Sequence, residues 1–365
     1  MAKAIRVGFM GAGWPCQRHA EGFLTLKGIE LAAIADPLAE RRTAFVDAYG
    51  KMQQFDTYQE MLAKGGLDAV IVGLPTGMHT EGCLAAFAAG AHVLCEKPPT
   101  TNAADMIRIA RVAKKTGLTY MFGRQPRFAP WSLHARKIVA DGKIGRVYHA
   151  EGKWIRARGI PWGAGGWFVN KQKGGGVLLD LGVHAIDNAW FVMGCPQPVE
   201  VFSGLHCAFS YLAPKGVEYN AEDAAIGMIR FEDGATLHFM VTFALNIRDR
   251  DPKASDGISK PAWQETTIYG TKGGIDVMGG KVIAGKDKEV LVKSMKSATA
   301  VHKAAERFPK FGPTFAVQAR EFVRAVRTGD TPISSAAQAV MLMQMLEALR
   351  KSGETGRAVR IRPVK

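Results

Sequence analysis

The sequence is poor in cysteine. Its 365 residues include five cysteines, an odd number whose spacing matches neither a zinc site nor a disulfide framework. The nine histidines also lack the paired spacing of a zinc-binding helix. The composition therefore predicts no metal site, and five unpaired thiols fit a protein of the reducing cytosol.

Long apolar runs are also missing. No segment is long enough to cross a bilayer, and the first residues, MAKAIRVGFMG, lead directly into an apolar strand pattern. We therefore expect no membrane segment, no secretory signal and a cytoplasmic location. A chain of 365 residues exceeds the comfortable size of one hydrophobic core, so we predict two domains, residues 1–124 and 125–365.

Acidic residues are fewer than basic ones, 33 against 48, and the net charge is +15. The excess is spread over many segments and forms no dense basic block. Aromatic residues near one basic region leave single-stranded nucleic acid as an alternative. A positive crevice that attracts a dinucleotide or an acidic sugar accounts for the same charge, and we expect no nucleic-acid partner.

The N-terminus carries the strand, glycine turn and helix of a dinucleotide fold. An apolar strand pattern over residues 5–10 ends in the sequence GAGW. Gly11 permits the tight turn, Gly13 lets the backbone approach a pyrophosphate, and the helix N-terminus stabilises its charge. Cys16 replaces the usual third glycine, which predicts looser packing of helix on strand. We predict that Gly11, Gly13 and Trp14 contact the cofactor.

A second apolar strand, residues 29–35, ends at Asp36. An acid at this point can hydrogen-bond the adenosine ribose and favours NAD over NADP. Arg41 and Arg42 follow closely and could lie near a 2′-phosphate, so NADP stays open. Asp36-Pro37 is also an ordinary turn pair. We predict Asp36 and Arg41 as cofactor contacts.

Two later strands end in residues suited to a site. Residues 68–74, DAVIVGL, form an unbroken apolar run that is typical of a buried parallel strand. Residues 92–95 form the next strand and deliver Glu96-Lys97-Pro98 at its end. Ligands of open α/β sheets bind beyond the carboxyl ends of the strands, so we expect Lys97 to take part in chemistry and Leu74 to contact the cofactor. A merely solvated lysine is the alternative.

The last strand of this series covers residues 119–122 and is followed by the sequence RQPRF. Its position predicts another element of the same crevice. We expect Gln125 to contact the cofactor and Arg127 to contact the substrate.

A glycine run opens into a predicted helix within residues 173–187, KGGGVLLDLGVHAID. Asp180 and His184 are four residues apart, which places both side chains on one helix face. A carboxylate beside an imidazole suits a general base near neutral pH. The alternative is an ordinary helix start with a hydrogen-bonded histidine.

Taken together, the GxG turn, the PTxxH turn, EKP and GGGVLLDLGVHAID resemble the glucose-fructose oxidoreductase and inositol dehydrogenase family, often written Gfo/Idh/MocA. The resemblance implies an α/β Rossmann domain that binds NAD or NADP. It also implies an α+β C-terminal domain with a large, mostly antiparallel open sheet, which holds a sugar or cyclitol. In such a protein Lys97 contacts both the reacting hydroxyl and the cofactor, Asp180 lies beside the substrate and His184 takes the hydroxyl proton. The implied cofactor contacts are Gly11, Gly13, Asp36, Pro75, His79 and Glu96.

An aromatic and arginine-rich stretch lies between the two site segments. Aromatic rings bind the apolar faces of sugars, and arginines donate several hydrogen bonds to hydroxyls or carboxylates. The alternative is that the tryptophans are core anchors and the arginines are solvated. We predict a substrate wall made of Trp154, Arg156, Arg158, Trp162 and Trp167.

The second half of the chain shows strand patterns with turn signals at residues 147–154, 198–205, 224–231, 235–245 and 265–269. The run ATLHFMVTFAL is apolar at both alternations, so both faces of that strand should be covered. Helices cover one face and a second subunit is the natural cover for the other, which predicts a homodimer or homotetramer. The sequence of residues 281–312 predicts an irregular, lysine-rich connection. Helical spacing returns at residues 315–327 and 336–351.

Three functions fit these residues. Oxidation of a secondary alcohol needs a base for the hydroxyl proton and a group that stabilises charge on oxygen, and His184 and Lys97 supply them. We favour an NAD(P)-dependent dehydrogenase acting on a sugar, glycoside or cyclitol. A redox-neutral, NAD-dependent glycoside hydrolase and a non-catalytic sugar sensor are the alternatives.

Overall fold

The computed structural model describes residues 3–246, 262–286, 289–295 and 312–362. The chain divides into two compact units, residues 1–130 with 298–343 and residues 131–297 with 344–365. The predicted domain boundary at 124/125 lies near the first crossing. The prediction that all of 125–365 forms the second domain differs from this division, because the described residues 312–343 belong to the first unit.

The first unit is built on a six-stranded sheet in the order β3-β2-β1-β4-β5-β6. Every neighbouring pair in it is parallel. The apolar runs that predicted these strands are buried on both faces, as parallel strands between helices must be, and Val7, Phe9 and Ile71 are fully buried. The strands are β1 Ile5–Met10, β2 Ile29–Ala35, β3 Gln53–Phe55, β4 Ala69–Val72, β5 His92–Cys95 and β6 Tyr120–Phe122. The predicted Rossmann-like α/β architecture is confirmed.

Among the described residues, six helices lie wholly within the first unit, and the last of them comes from the distant C-terminal part of the chain. They are α1 Trp14–Phe23, α2 Ala39–Tyr49, α3 Tyr58–Lys64, α4 His79–Ala88, α5 Ala103–Thr116 and α9 Gly312–Thr328. Helix α9 packs closely on α1, since a Cβ added to Gly22 would lie 2.6 Å from the Phe315 carbonyl oxygen. This close contact places α9 in the first unit.

The second unit is built on a nine-stranded sheet in the order β14-β13-β12-β11-β7-β10-β9-β8-β15. Only β7 and β10 pair in parallel among its described strands, and the other pairs are antiparallel. The predicted mostly antiparallel sheet is therefore confirmed. The strands are β7 Val147–Arg156, β8 Pro198–His206, β9 Ala224–Phe231, β10 Thr236–Thr242, β11 Ala262–Gly270, β12 Gly273–Asp276, β13 Lys281–Lys286, β14 Glu289–Ser294 and β15 Val359–Arg360.

The prediction of an irregular connection after residue 280 is wrong for its first part. Strands β13 and β14 form an antiparallel pair at one edge of the sheet. Lysines on both strands hide the apolar alternation, and edge strands commonly carry lysine because it discourages pairing with another chain. Residues 296–311 of that predicted connection lie outside the described part of the chain.

Helix α8, Val183–Met193, lies on one face of the second sheet and all its residues are buried. Two polar bonds fasten it: Ser132 Oγ donates to Asn188 Oδ1 at 2.8 Å, and Asn188 Nδ2 donates to Thr266 Oγ1 on β11 at 3.1 Å. The remaining helices are α6 Pro130–Ala140, the short α7 Gly163–Gly166 and α10 Ala336–Thr355. Helices α6 and α10 both cross from one unit to the other.

Among the described residues, no helix is both long enough and apolar enough to cross a membrane.

Candidate active site

The glycine turn after β1 has the shape that a bound pyrophosphate requires. Gly11 has φ +97°, which side chains rarely tolerate, and an added Cβ would lie 2.9 Å from the Gly73 carbonyl oxygen. Gly13 caps the N-terminus of α1, and a Cβ there would meet only the Pro15 ring, at 3.7 Å. A side chain at Gly13 would therefore meet little resistance within the unit, and the N–H groups at the start of α1 lie next to it, where a helix N-terminus can hold an anion. Trp14, the first helical residue, is half exposed at this turn.

Cys16 occupies the usual place of the third glycine, and the structure corrects the prediction of looser packing there. The thiol is fully buried and faces Gly73, the residue after β4. A Cβ on Gly73 would collide with Cys16 Sγ. The small residue has thus moved from the helix to the facing strand end, and close packing is kept.

Asp36 lies at the end of β2 and faces the same turn. Its Oδ2 accepts a hydrogen bond from the Ala12 N–H at 2.9 Å and its Oδ1 accepts one from Leu38 N–H at 3.0 Å. A carboxylate has about four acceptor positions, so two remain for ribose hydroxyls. Arg42 pairs with Asp56 at 2.6 Å and also donates to the Asp36 carbonyl at 2.5 Å. Arg41 is exposed.

His79 was expected to contact the cofactor, but its ring is 1% exposed and both ring nitrogens face backbone carbonyls. Nε2 lies 2.8 Å from the Leu74 oxygen and Nδ1 lies 2.9 Å from the Pro98 oxygen. Burial alone lowers its pKa, but Cys95 and the two carbonyls outweigh burial and raise the pKa of His79 to about 9. The ring therefore donates from both nitrogens and joins the turn after β4 to the turn after β5. Pro75, in the first of these turns, is exposed.

Glu96 and Lys97 follow β5. Glu96 Oε1 lies 2.7 Å from His19 Nε2, and Oε2 accepts the Lys97 backbone N–H at 3.1 Å. Burial raises the pKa of Glu96, but the bond with His19 and the charge of Lys97 outweigh it and hold that pKa below its ordinary value. Lys97 is half-buried, and its peptide bond to Pro98 is cis.

His19 is the functional neighbour that sequence reasoning missed. It lies on α1, is fully buried and packs edge-on against Phe315 with ring centroids 5.0 Å apart. A histidine within an amphipathic helix carries no motif of its own. Its partner Glu96 is 77 residues away in the chain, so only the folded structure reveals the pair.

Arg127 does not have the exposure that the predicted substrate contact needs. Its side chain is fully buried, and the guanidinium lies 4.9 Å from the centre of the Phe122 ring. It donates to the Ile333 carbonyl at 3.0 Å and to Gln338 Oε1 at 2.5 Å. Arg127 therefore ties the end of β6 to the C-terminal part of the first unit. Gln125, in the short 3₁₀ turn after β6, is half-buried.

In the second unit, a glycine on β7 sets the position of His184. A Cβ on Gly152 would collide with the Ala185 carbonyl, so α8 lies directly against this strand. Trp154 is two residues further along β7 and therefore on the same face. The Trp154 and His184 rings are 4.7 Å apart, and His184 is 7% exposed. The structure thus brings the predicted base and one predicted sugar-binding ring together.

Asp180 was expected within one regular helix, but a π-helical turn, Leu178–Gly182, precedes α8. Such turns occur often at functional sites because they re-aim side chains. Asp180 is half-buried, and its N–H donates to the Gly176 carbonyl at 3.1 Å. Asp187, the third polar residue of the motif, is fully buried within α8.

Buried Glu222 holds the start of the π-helical turn. Its carbonyl accepts the Val177 N–H at 2.9 Å and its Oε1 accepts the Leu178 N–H at 3.3 Å. A Cβ on Gly176 would collide with the same carboxyl group. Burial raises the pKa of Glu222.

The predicted substrate wall divides into separate groups. The Arg156 guanidinium lies 6.0 Å from the Trp154 ring centre and donates to the Gly159 carbonyl at 3.3 Å. Arg158 is exposed, but its Nη1 donates to the carbonyls of Ala157 and Leu245, at 2.8 and 3.0 Å. Arg156 therefore joins the Trp154–His184 group, whereas Arg158 fastens backbone.

The three tryptophans are half-buried, so they are neither fully buried core residues nor fully exposed. Trp162 packs edge-on against Tyr219, with centroids 5.8 Å apart, and Trp167 packs against Phe168 at 4.7 Å. Trp154 differs from the other two because its ring packs against His184. In the described part of the chain, no group of three or more His, Cys, Asp or Glu side chains is arranged to hold a metal ion.

Two family models match the chain. Residues 5–124 match an oxidoreductase family with an NAD-binding Rossmann fold, and residues 132–276 match the GFO/IDH/MocA C-terminal domain. The first match covers the glycine turn and the Lys97 turn. The second covers β7, the π-helical turn and α8.

The chain is also similar to known enzymes along nearly its whole length. It is 27% identical to the D-glucoside 3-dehydrogenase of Escherichia coli (strain K12) over 98% of this chain and 97% of that enzyme. It is 25% identical to the myo-inositol 2-dehydrogenase of Thermotoga maritima over 99% of each. Among solved structures, levoglucosan dehydrogenase in complex with NADH and levoglucosan has a TM-score of 0.82 at 18% identity, over 98% of this chain and 100% of that one, and shares its fold. From these matches and the motifs they cover, the chain belongs to the Gfo/Idh/MocA family of NAD-binding oxidoreductases, which includes sugar and inositol dehydrogenases.

Proposed function

We propose that this protein oxidises a secondary hydroxyl of a sugar, glycoside or cyclitol, with His184 as the general base and Lys97 stabilising the reacting oxygen. The contact between His184 and Trp154 carries the proposal. An aromatic ring that can bind the apolar face of a sugar lies 4.7 Å from an imidazole that can take a proton from the sugar hydroxyl. The nicotinamide cofactor, when bound, accepts the hydride that leaves carbon.

The residues of the first unit fit NAD. Gly11 permits the tight turn beside Gly73, Gly13 keeps the backbone bare for the pyrophosphate, the N-terminus of α1 stabilises its charge, and Asp36 retains acceptor positions for the ribose hydroxyls. Arg42 is paired with Asp56, which makes it less available to a 2′-phosphate, although Arg41 is exposed nearby. Because the Asp36 carboxylate favours ribose hydroxyls over a 2′-phosphate, we propose NAD as the working cofactor.

Lys97 and His184 have complementary tasks in this proposal. The ammonium of Lys97 lowers the energy of negative charge that develops on the hydroxyl oxygen. His184 removes the hydroxyl proton, and Asp180 orients the substrate beside it. Trp154 and Arg156 hold the sugar ring against the base. Water exclusion by the half-buried tryptophans strengthens each of these polar interactions.

We place glycosides first among the substrate classes. The support is the similarity of nearly the whole chain to an enzyme named D-glucoside 3-dehydrogenase. An inositol is the next class to examine, because a second relative of full length is named myo-inositol 2-dehydrogenase.

One assay tests the function. The protein is incubated with NAD and a panel of sugars, inositols and chromogenic glycosides, and NADH absorbance and released aglycone are recorded separately. Net NADH formation without aglycone supports the dehydrogenase. Aglycone release without net NADH identifies a redox-neutral hydrolase instead, and binding without either product identifies a sensor.

We also propose a homodimer formed through the second sheet. Strand register places Phe202, Ile226 and Met228 on the face opposite α8, and their side chains are 53%, 36% and 48% exposed. An exposed apolar patch of neighbouring residues is typical of an interface. Light scattering after gel filtration should give twice the chain mass, and Met228→Lys should halve it. A monomeric wild type would refute the proposal.

A further inference from the structure

Two buried histidines that the proposed chemistry does not use hold the residues on either side of Lys97. His19 contacts the carboxylate of Glu96, the residue before Lys97. His79 contacts the carbonyl of Pro98, the residue after it. The side chains of both histidines are essentially excluded from water, with 0% and 1% exposure.

The first contact is passed on to Lys97 through one side chain. His19 Nε2 lies 2.7 Å from Glu96 Oε1, while Glu96 Oε2 accepts the N–H of Lys97 at 3.1 Å. Gly123, at the end of β6, leaves no further room, because a Cβ there would lie 2.8 Å from Glu96 Oε1. The carboxylate is therefore fixed by a side chain at one oxygen and by the Lys97 backbone at the other.

The second contact joins two strand ends. His79 lies at the start of α4 and bonds Leu74 after β4 as well as Pro98 after β5. The histidine thus spans two neighbouring parallel strands. A turn that is tied to the adjacent strand end has less freedom to shift along its own strand.

The two histidines reach the turn from opposite faces of the sheet. In the strand order β3-β2-β1-β4-β5-β6, the crossover β1–α1–β2 runs in one direction and β4–α4–β5 runs in the other. Right-handed crossovers in opposite directions place their helices on opposite faces. His19 on α1 and His79 on α4 therefore hold the Lys97 turn between them.

We propose that His19 and His79 are positioning residues, which fix the turn carrying Lys97 and thereby the place of its ammonium group. The inference rests on the proposed role of Lys97 in turnover. Neither histidine is a catalytic residue in this scheme, because each acts through Glu96 or Pro98.

A double-mutant cycle tests whether the histidines act through Lys97. In the wild-type background, His19→Phe and His79→Phe should each lower kcat by about tenfold to a hundredfold, since a shift of about 1 Å at a reacting group costs that much. In the Lys97→Met background, each change should lower kcat by less than about twofold, because the group they position is gone. Equal losses in both backgrounds would overturn the proposal.

A second readout needs no turnover and no cofactor. Hydrogen exchange of the amides of residues 96 and 97 is measured in the cofactor-free protein. His19→Phe should speed exchange there by about tenfold or more while amides of β1 keep their protection. Unchanged exchange at residue 97 would overturn the positioning role. This result does not depend on the proposed function, which fails separately if Lys97→Met leaves turnover intact.

Conservative variants separate positioning from general damage. His19→Gln keeps an N–H that can donate to Glu96 and should restore most of the kcat lost in His19→Phe. The pH dependence of kcat/KM gives a further test, because it should shift in a definite direction. The titratable groups that face Glu96 are Cys16 and His19 on α1 and Lys97 on its own turn. Loss of His19 leaves that buried carboxylate without its partner, so the acid limb of the kcat/KM profile should move to higher pH. A limb that stays in place in His19→Phe contradicts the pairing.

His92 provides a matched control. It lies at the other end of β5, where its Nδ1 accepts the Thr119 N–H at 2.9 Å. His92→Phe should lower the melting temperature and leave kcat, the pH profile and exchange at residue 97 near their wild-type values. If His92→Phe lowers kcat as much as His79→Phe, the effect is general destabilisation and the proposal fails.

Discussion

The two units hold their proposed catalytic groups by different physical means. In the first unit, polar bonds fix the Lys97 turn: His19 holds Glu96 and His79 holds Pro98. In the second unit, close packing fixes His184, because Gly152 lets α8 lie directly against β7. Polar bonds of this kind respond to pH and to the loss of one donor, whereas packing responds to added volume. Each mechanism can therefore be broken by a different substitution.

The largest effect is expected from removing the proposed base. His184→Ala should lower turnover by roughly a hundredfold or more while the affinity for NAD stays nearly unchanged, as expected for loss of general-base catalysis. Steady-state kinetics and NAD titration by fluorescence measure the two quantities. His206→Ala, at an exposed position at the end of β8, is the control and should keep full turnover. Turnover that survives in His184→Ala removes this histidine from the role.

A smaller effect, on stability, is expected from adding volume where α8 meets β7. Gly152→Val would push a side chain into the Ala185 carbonyl, and overpacking of this kind costs about 3 kcal/mol. Gly204 on β8 is the matched control, since its nearest neighbour would be the His206 ring at 3.4 Å, an ordinary contact. Chemical denaturation should show a large loss of unfolding free energy for Gly152→Val and a small one for Gly204→Val. Similar losses in both would show that the contact does not set the position of α8.

Much of the fold could be predicted because the strands are apolar runs that end in recognisable turns. Ile5–Met10 and His92–Cys95 form strands with the bounds that their sequences predict, and both deliver site residues at their carboxyl ends. Strands β13 and β14 escaped prediction because lysines interrupt their alternation. The family resemblance added the antiparallel sheet, which periodicity by itself did not establish.

The supporting contacts could not be predicted, because they join residues that are distant in sequence. Gly73 provides the space for Cys16 that a third glycine of the motif would otherwise provide, and it allows α1 to pack closely on the sheet. No spacing rule connects Gly73 with Cys16. Arg127 follows a strand end, as a ligand contact would, yet its partner Gln338 is 211 residues away and buries it. A residue type at a strand end indicates chemistry, but its partners decide whether the side chain binds a ligand or supports the fold.

The smallest expected effect is a pH dependence of stability, which distinguishes the polar bonds around Lys97 from the packing around His184. The pKa of His79 is raised from 6.5 to about 9 in the folded protein, so its contribution to stability is fully present below pH 6.5 and is lost as the pH rises through about 9. Between about pH 7 and pH 9 this amounts to ~2 kcal/mol. Cys95 and Tyr120 face the same cluster, and burial raises the pKa of both.

The measurement is the free energy of unfolding against pH for the wild type and for His79→Gln. The wild type should lose its advantage over the variant as the pH approaches 9, and Gly152→Val should run parallel to the wild type because packing against a carbonyl carries no proton. A difference between wild type and His79→Gln that stays constant with pH would mean that His79 is neutral in the fold. One of its two nitrogens would then face a carbonyl without a proton to donate, and the bond between the two strand ends would be half as strong as the geometry indicates.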